Sequence, residues 1–273
     1  MSAADRLRRH WPEYLAECAG LAVFMCAASG FATLIEHPSL ALRQMVDDPL
    51  ARRALMGLAM GGTAIALIYS PLGARSGGHL NPATTLAFWR LGKLHGADAA
   101  AYVLAQVVGA FAGMLAAAFA LDRYLDAPEV HYVATVPGPW GHLASFAAEV
   151  VITFVLLTAV LHVSNHSRLS RFTGVVAGSL VALYITVEAP VSGMSLNPAR
   201  SLAPAVFAAE LDSFWIYLVA PPLGMLLAAT AFVRLRGAGA VLCAKLHHHS
   251  AARCIFHCRF DEGAAGARPS ARV

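Results

Sequence analysis

Six long apolar runs organise the chain: residues 14–35, 54–74, 99–121, 143–163, 172–187 and 214–233. The first holds one charge, Glu17, and the run 99–121 holds none. A bilayer core about 30 Å thick takes about 20 apolar residues per helix, so each run predicts a membrane-spanning helix. Two shorter apolar stretches lie between the second and third runs and between the fifth and sixth: HLNPATTLAF at 79–88 and SLNPARSLAP at 195–204. Each contains an Asn-Pro pair. Residues 121–142 (LDRYLDAPEVHYVATVPGPWGH) have no helical period and read as an external loop, and residues 237–273 read as a polar tail.

Composition strengthens the membrane reading. The chain is 58% hydrophobic and 13% charged, where soluble domains carry about 25% charged residues. No cleavable signal peptide is expected, because the basic start leads into a run too long for a signal core. Its positive charges are scattered over loops, so no nucleic-acid partner is expected. With the N-terminus inside and six spans, 15 of the 20 Lys and Arg residues fall on the inner side. Inner loops of membrane proteins carry the excess of Lys and Arg, so both termini are expected in the cytoplasm.

The chain repeats itself. Asn81 and Asn197 sit in matching segments, and each is followed by a second match, VVGAFAGMLAA and PPLGMLLAATA. LAECAGLAVF around Glu17 matches AAEVVITFVL around Glu149. Each half is therefore a span with a glutamate, a span, an LNPA segment and a span. Three spans per half is odd, so the second copy enters the membrane from the opposite side, as in inverted-repeat channels and transporters. We divide the chain into a channel domain, 1–236, with repeats at about 11–121 and 142–236, and a tail, 237–273.

Asn is a preferred helix N-cap and Pro is favoured at the next position. Asn81-Pro82-Ala83 and Asn197-Pro198-Ala199 therefore read as helix starts. The segments after them are short enough to cross about half of the membrane. The residues before them must run extended, and such backbone survives at membrane depth only where it is packed in protein or lines a cavity. This gives the fold class: an all-α membrane protein with six spanning helices and two re-entrant half-helices. Each Asn oxygen would cap its own helix and leave the amide NH2 as a donor facing a pore. The carbonyls of Gly77, Gly78 and His79, and of Gly193, Met194 and Ser195, would be acceptors along it. Arg200, in the first turn of the second half-helix, is an intramembrane charge, which is a functional candidate by default.

SGGHLNPATTLAF and GMSLNPARSLAPAVF resemble the two signature segments of the major intrinsic protein family, the aquaporins and glycerol facilitators, and the resemblance covers roughly residues 10–236. It implies a bacterial-type passive channel, a homotetramer with one pore per subunit, in the inner (plasma) membrane. It implies no cofactor and no enzymatic activity, and its partners are the lipid bilayer, water and small neutral solutes. By resemblance Arg200 belongs to a selectivity constriction, and counting from the motifs adds Ile185, Met194 and Gly61, or Met60 if the preceding loop holds one extra residue. That ring lacks the aromatic and the His of water-selective members, which leaves a glycerol or small-solute facilitator as an alternative. Glu17 and Glu149 are implied to accept from the loop backbones, with Gln106 in a similar packing role; a proton relay is the other reading. A secondary transporter also uses inverted repeats and broken helices, but the intramembrane acids sit early in the first and fourth spans. The resemblance does not cover CAKLHHHSAARCIFHC at 243–258. Its soft thiols and imidazoles suit zinc or copper, with Cys243, Cys254, His257 and Cys258 as candidate ligands. A solvated basic tail is the alternative. Cys18 and Cys26 lie in the first run, and no disulfide framework is expected.

Overall fold

The protein was analysed as a computed structural model, which describes residues 2–260. The regular elements among these residues are all helical. α1 (Ala3–Glu36) opens on a capping box: Ser2 Oγ accepts from the Asp5 amide, and the Asp5 carboxylate accepts from the Ser2 amide. It begins 11 residues before the first apolar run because this cap and a polar first segment extend it beyond the apolar part. A single turn, α2 (Ala41–Met45), leads to α3 (Pro49–Tyr69). Asp48 caps α3 at the Ala51 amide, 2.7 Å away, and Pro49 takes its first position. The second span is therefore 49–69 rather than 54–74. Ser70 ends it and caps a separate short helix, α4 (Pro71–Ser76).

The first repeat continues with the half-helix α5 (Pro82–Arg90) and the span α6 (Gly96–Leu121). The connection then holds the short α7 (Arg123–Asp126) and a 3-10 turn at His131–Val133. The second repeat follows the same order: α8 (Gly141–Ser164), α9 (Thr173–Val187), the short α10 (Ala189–Ser192), the half-helix α11 (Pro198–Phe207) and α12 (Phe214–Arg236). The repeat thus extends to a detail the motif comparison did not reach, since α4 and α10 precede the two half-helices in the same way. Among the described residues six helices are long and apolar enough to cross a membrane, α9 together with the turn before it.

The spans pack as α1 on α6, α3 on α9 and α8 on α12. Small residues let the backbones approach. A β-carbon on Gly61 of α3 would stand 2.5 Å from the Gly178 carbonyl of α9. One on Gly109 of α6 would enter the Cys18 carbonyl of α1. Such small-residue contacts replace the hydrophobic drive that lipid does not supply between helices. Outward faces are apolar, with Phe119 91% exposed and Leu104, Leu115 and Leu143 exposed beside it or on neighbouring spans.

Residues 238–260 are not a free tail. They fold against one end of the bundle: Arg253 donates to Glu13 of α1 at 2.8 Å, the Leu242 amide to Asn165 at 2.6 Å and the His257 amide to the Lys93 carbonyl at 2.9 Å.

Gly61→Ala and Gly109→Ala should each lower stability by about 1–3 kcal/mol, because overpacked interfaces move backbone. Gly30→Ala, whose β-carbon would meet nothing within 4 Å, should be neutral or slightly stabilising. Thermal unfolding in detergent separates the two outcomes.

Candidate functional site: a cavity between two opposed half-helices

The half-helices α5 and α11 meet N-terminus to N-terminus. Asn81 Oδ1 accepts from the Ala83 amide at 2.8 Å, and Asn197 Oδ1 accepts from the Ala199 and Arg200 amides at 3.1 and 3.2 Å. Pro82 and Pro198 occupy the first helical positions. Ala83 and Ala199 are buried. Each Asn also reaches into the other repeat. Asn81 Nδ2 donates to the Leu196 carbonyl at 2.8 Å, and Asn197 Nδ2 donates to the Leu80 carbonyl at 2.7 Å. One N–H of each amide is therefore committed to the partner loop, and one remains where the sequence left two. The carbonyls are presented by left-handed backbone, with φ of 48° at Leu80 and 58° at Leu196. That conformation costs an ordinary residue about 1–2 kcal/mol, and it recurs at the same place in both repeats.

Two buried carboxylates hold these loops. Glu17 accepts from the His79 amide at 3.1 Å, the Leu80 amide at 2.6 Å and Gln106 Nε2 at 2.7 Å. Glu149 accepts from the Ser195 amide at 2.6 Å, the Leu196 amide at 2.9 Å and Ser192 Oγ at 2.8 Å. Tyr102 and Tyr217 complete the correspondence by donating to the Ser76 and Ser192 carbonyls at 2.7 and 2.6 Å. Neither glutamate borders the cavity. Gln106 also donates to Thr85 Oγ1 of α5 at 3.0 Å.

A cavity of about 320 Å³ runs along the meeting point, bordered by Asn81, Asn197, Arg200, Met194, Ile185 and Met60. Gly61 is not on it. Met56, Met60 and Ala64 lie one turn apart on the face of α3 that lines the cavity, and Gly61 faces α9. The count that gives Gly61 misses by one position, and the alternative count, with one extra residue in the preceding loop, reaches Met60. Gly78, His79, Gly193 and Ser195 border the cavity. Gly77 does not, and its carbonyl accepts from the Leu246 amide at 3.0 Å. His79 is buried between the rings of Phe88 and Phe256, with centroids 5.2 and 5.4 Å away. Its Nε2 donates to the Ala244 carbonyl at 2.9 Å.

Arg200 donates through its guanidinium to Thr135 Oγ1. Thr135 lies 2.9 Å from Ser201 Oγ, which lies 2.6 Å from Ser195 Oγ. The segment 121–142 is thus more than an external loop: it positions Arg200, and Val130, Val133 and Ala134 border the cavity. Thr135 belongs to no motif and no periodic run, so nothing in the sequence marked it. Leu246 also borders the cavity and was not anticipated.

In the tail, the donor atoms of Cys243, His248, Cys254 and Cys258 lie within 4.8 Å of one another. His257 is not in this cluster. Its Nδ1 is bonded to the Gly92 carbonyl at 2.8 Å, since neighbouring side chains 257 and 258 point apart, and His248 stands in its place.

The model of the family described as major intrinsic protein matches residues 5–232. The chain belongs to the major intrinsic protein family. Within that family it is 36% identical to a glycerol uptake facilitator protein-like 6 of Lactiplantibacillus plantarum, over 80% of this chain and 94% of that one. It is also 36% identical to aquaporin NIP1-1 of Arabidopsis thaliana, over 70% of this chain. The match spans 66% of that plant relative's length. The fold is that of the aquaglyceroporin from Plasmodium falciparum, with a TM-score of 0.68, 21% identity, and 85% of this chain and 98% of that chain covered. Major intrinsic proteins are passive membrane channels rather than enzymes.

Glu149→Ala should be far more damaging than a cavity-lining change such as Ile185→Val. It strands two buried backbone amides, each worth about 1–3 kcal/mol when left unpaired. Glu149→Gln, which keeps one acceptor oxygen, should fall between the two. Folded yield and thermal stability in detergent read the order.

Proposed function

We propose that this chain is a passive channel for water and small uncharged solutes that excludes ions and protons. One observation carries the reading: the two half-helix N-termini face each other across the cavity, each capped by an asparagine with one amide N–H still free. A helix N-terminus carries about half a positive charge, and two aimed at one point oppose a cation. The Arg200 guanidinium adds a full charge on the same cavity. A solute oxygen accepts from Asn81 and Asn197 while the carbonyls of Gly78, His79, Gly193 and Ser195 offer acceptors on either side. A water held by both asparagines has its lone pairs engaged, which interrupts a proton wire.

The solute class follows from the chemistry of the wall. Met60, Ile185 and Met194 present apolar surface beside Arg200, and no His or aromatic side chain from the expected positions joins them. Such a ring suits a polyol or an amide, with hydroxyls or carbonyl toward Arg200 and carbons toward the methionines, as well as water. The likeness to a protein named as a glycerol uptake facilitator supports this side of the reading. The channel works as a membrane-embedded homotetramer with one pore per subunit, in a plasma membrane, with both termini cytoplasmic.

Stopped-flow swelling and shrinking of proteoliposomes under sucrose, glycerol and urea gradients tests the reading. Reconstituted protein should raise water flux and at least one solute flux several-fold over empty vesicles, with no rise in proton leak. Arg200→Ala should raise solute flux further and admit protons. Flux equal to that of empty vesicles overturns the proposal.

A further inference from the structure

The four donors in the tail form a cluster of a kind that closes around a metal. Cys243 and Cys254 Sγ are 3.5 Å apart, and His248 Nε2 is 2.9 Å from Cys258 Sγ. A tetrahedral zinc site with these ligands separates neighbouring donors by about 3.5–3.8 Å, so small side-chain shifts suffice to centre an ion. Three thiols and one imidazole are the Cys3His set of structural zinc sites. A disulfide between Cys243 and Cys254 would leave Cys258 and His248 without a role.

The position of this cluster gives it a consequence. The residues between its first two ligands are Ala244, Lys245, Leu246 and His247. Within that short loop the Ala244 carbonyl receives His79 Nε2, the Leu246 amide binds the Gly77 carbonyl, and the Leu246 side chain borders the cavity. Phe256, between the other two ligands, stacks on His79. Fixing Cys243 and His248 on one ion therefore fixes the segment that reaches the cavity at Leu246.

We propose that Cys243, His248, Cys254 and Cys258 bind a zinc ion in a tetrahedral site, and that the loaded site holds Leu246 across the mouth of the pore and closes it. The site stands on its own geometry; the closing rests on the channel reading above. With the ion removed, three thiols no longer share a centre, the loop relaxes, and solutes pass Leu246.

The test uses the full chain, with cobalt(II) as the spectroscopic probe and zinc as the regulator. Metal-stripped protein should take up one cobalt per chain, with thiolate charge-transfer bands and the strong visible bands of a tetrahedral site, both removed by zinc. His257→Ala should keep these bands, and His248→Ala should lose the tetrahedral signature. In proteoliposomes with accessible tails, zinc should lower water and glycerol flux several-fold relative to chelator-treated protein. Leu246→Gly should bind cobalt normally and conduct equally with and without zinc. Cys254→Ser should also lose the tetrahedral signature; if it does not fold, chelation of the native chain and His248→Ala still decide the matter. Absence of cobalt bands, unchanged bands in His248→Ala, or a Cys243–Cys254 disulfide by mass overturns the site. Normal bands with zinc-independent flux overturn the closing. Absence of flux in both states refutes the channel reading, and the closing with it, while the spectra still judge the site.

Discussion

Everything in this fold depends on satisfying two stretches of non-helical backbone in the middle of a membrane protein. Residues 77–81 and 193–197 lie outside any helix that would pair their backbone, and lipid offers no partners. Glu17 and Glu149 supply them. Each carboxylate accepts two consecutive amides and is itself enclosed, Glu17 with Gln106 and Glu149 with Ser192. Because the amides are bound on the protein side, the following carbonyls turn the other way, toward the cavity or the opposite asparagine. A carboxylate alone in such surroundings would be costly; with its acceptor sites filled it becomes the fixed post on which both half-helices are mounted. The same geometry removes these acids from proton transfer, because neither reaches the cavity.

The cross-links between repeats make the arrangement a unit. Asn81 binds the loop of the second half and Asn197 binds the loop of the first. Neither half-helix can move without disturbing the backbone that presents the other. Left-handed φ at Leu80 and Leu196 is tolerated because three interactions determine it at once: the Glu bond to the amide, the Asn bond to the carbonyl, and the proline start of the next helix. This is how a site keeps an unfavourable backbone conformation.

Much of this was legible in the residues. Asn-Pro twice in matching apolar surroundings, with a glutamate in the first span of each half, carries the architecture, since capping, half-helix length and inverted entry follow from local rules. What was not legible depends on register and on non-local contact. Gly61 and Met60 are adjacent in the chain, and only the rotation of α3 decides which faces the cavity and which faces α9. Thr135 reaches Arg200 across 65 residues from a segment without periodicity. His257 looked like a ligand from its place beside Cys258, but the chain direction there sends it to Gly92 and brings His248 in from another turn of the tail.

The parts that repeat and the parts that do not divide the work of the molecule. The spans, the carboxylates, the short helices α4 and α10 and the half-helices obey the internal symmetry in their backbone. Two segments break it. The connection between repeats reaches the second loop through Thr135, Ser201 and Ser195, and it restrains Arg200. The tail reaches the first loop through Leu246, Ala244 and Phe256, and it covers His79. Arg200 lies inside the duplication, where the first half-helix has Thr84, while the connection that restrains it and the tail lie outside. These are the two segments whose sequences resemble nothing in the opposite half, and that is why the motifs that identified the channel were silent about both.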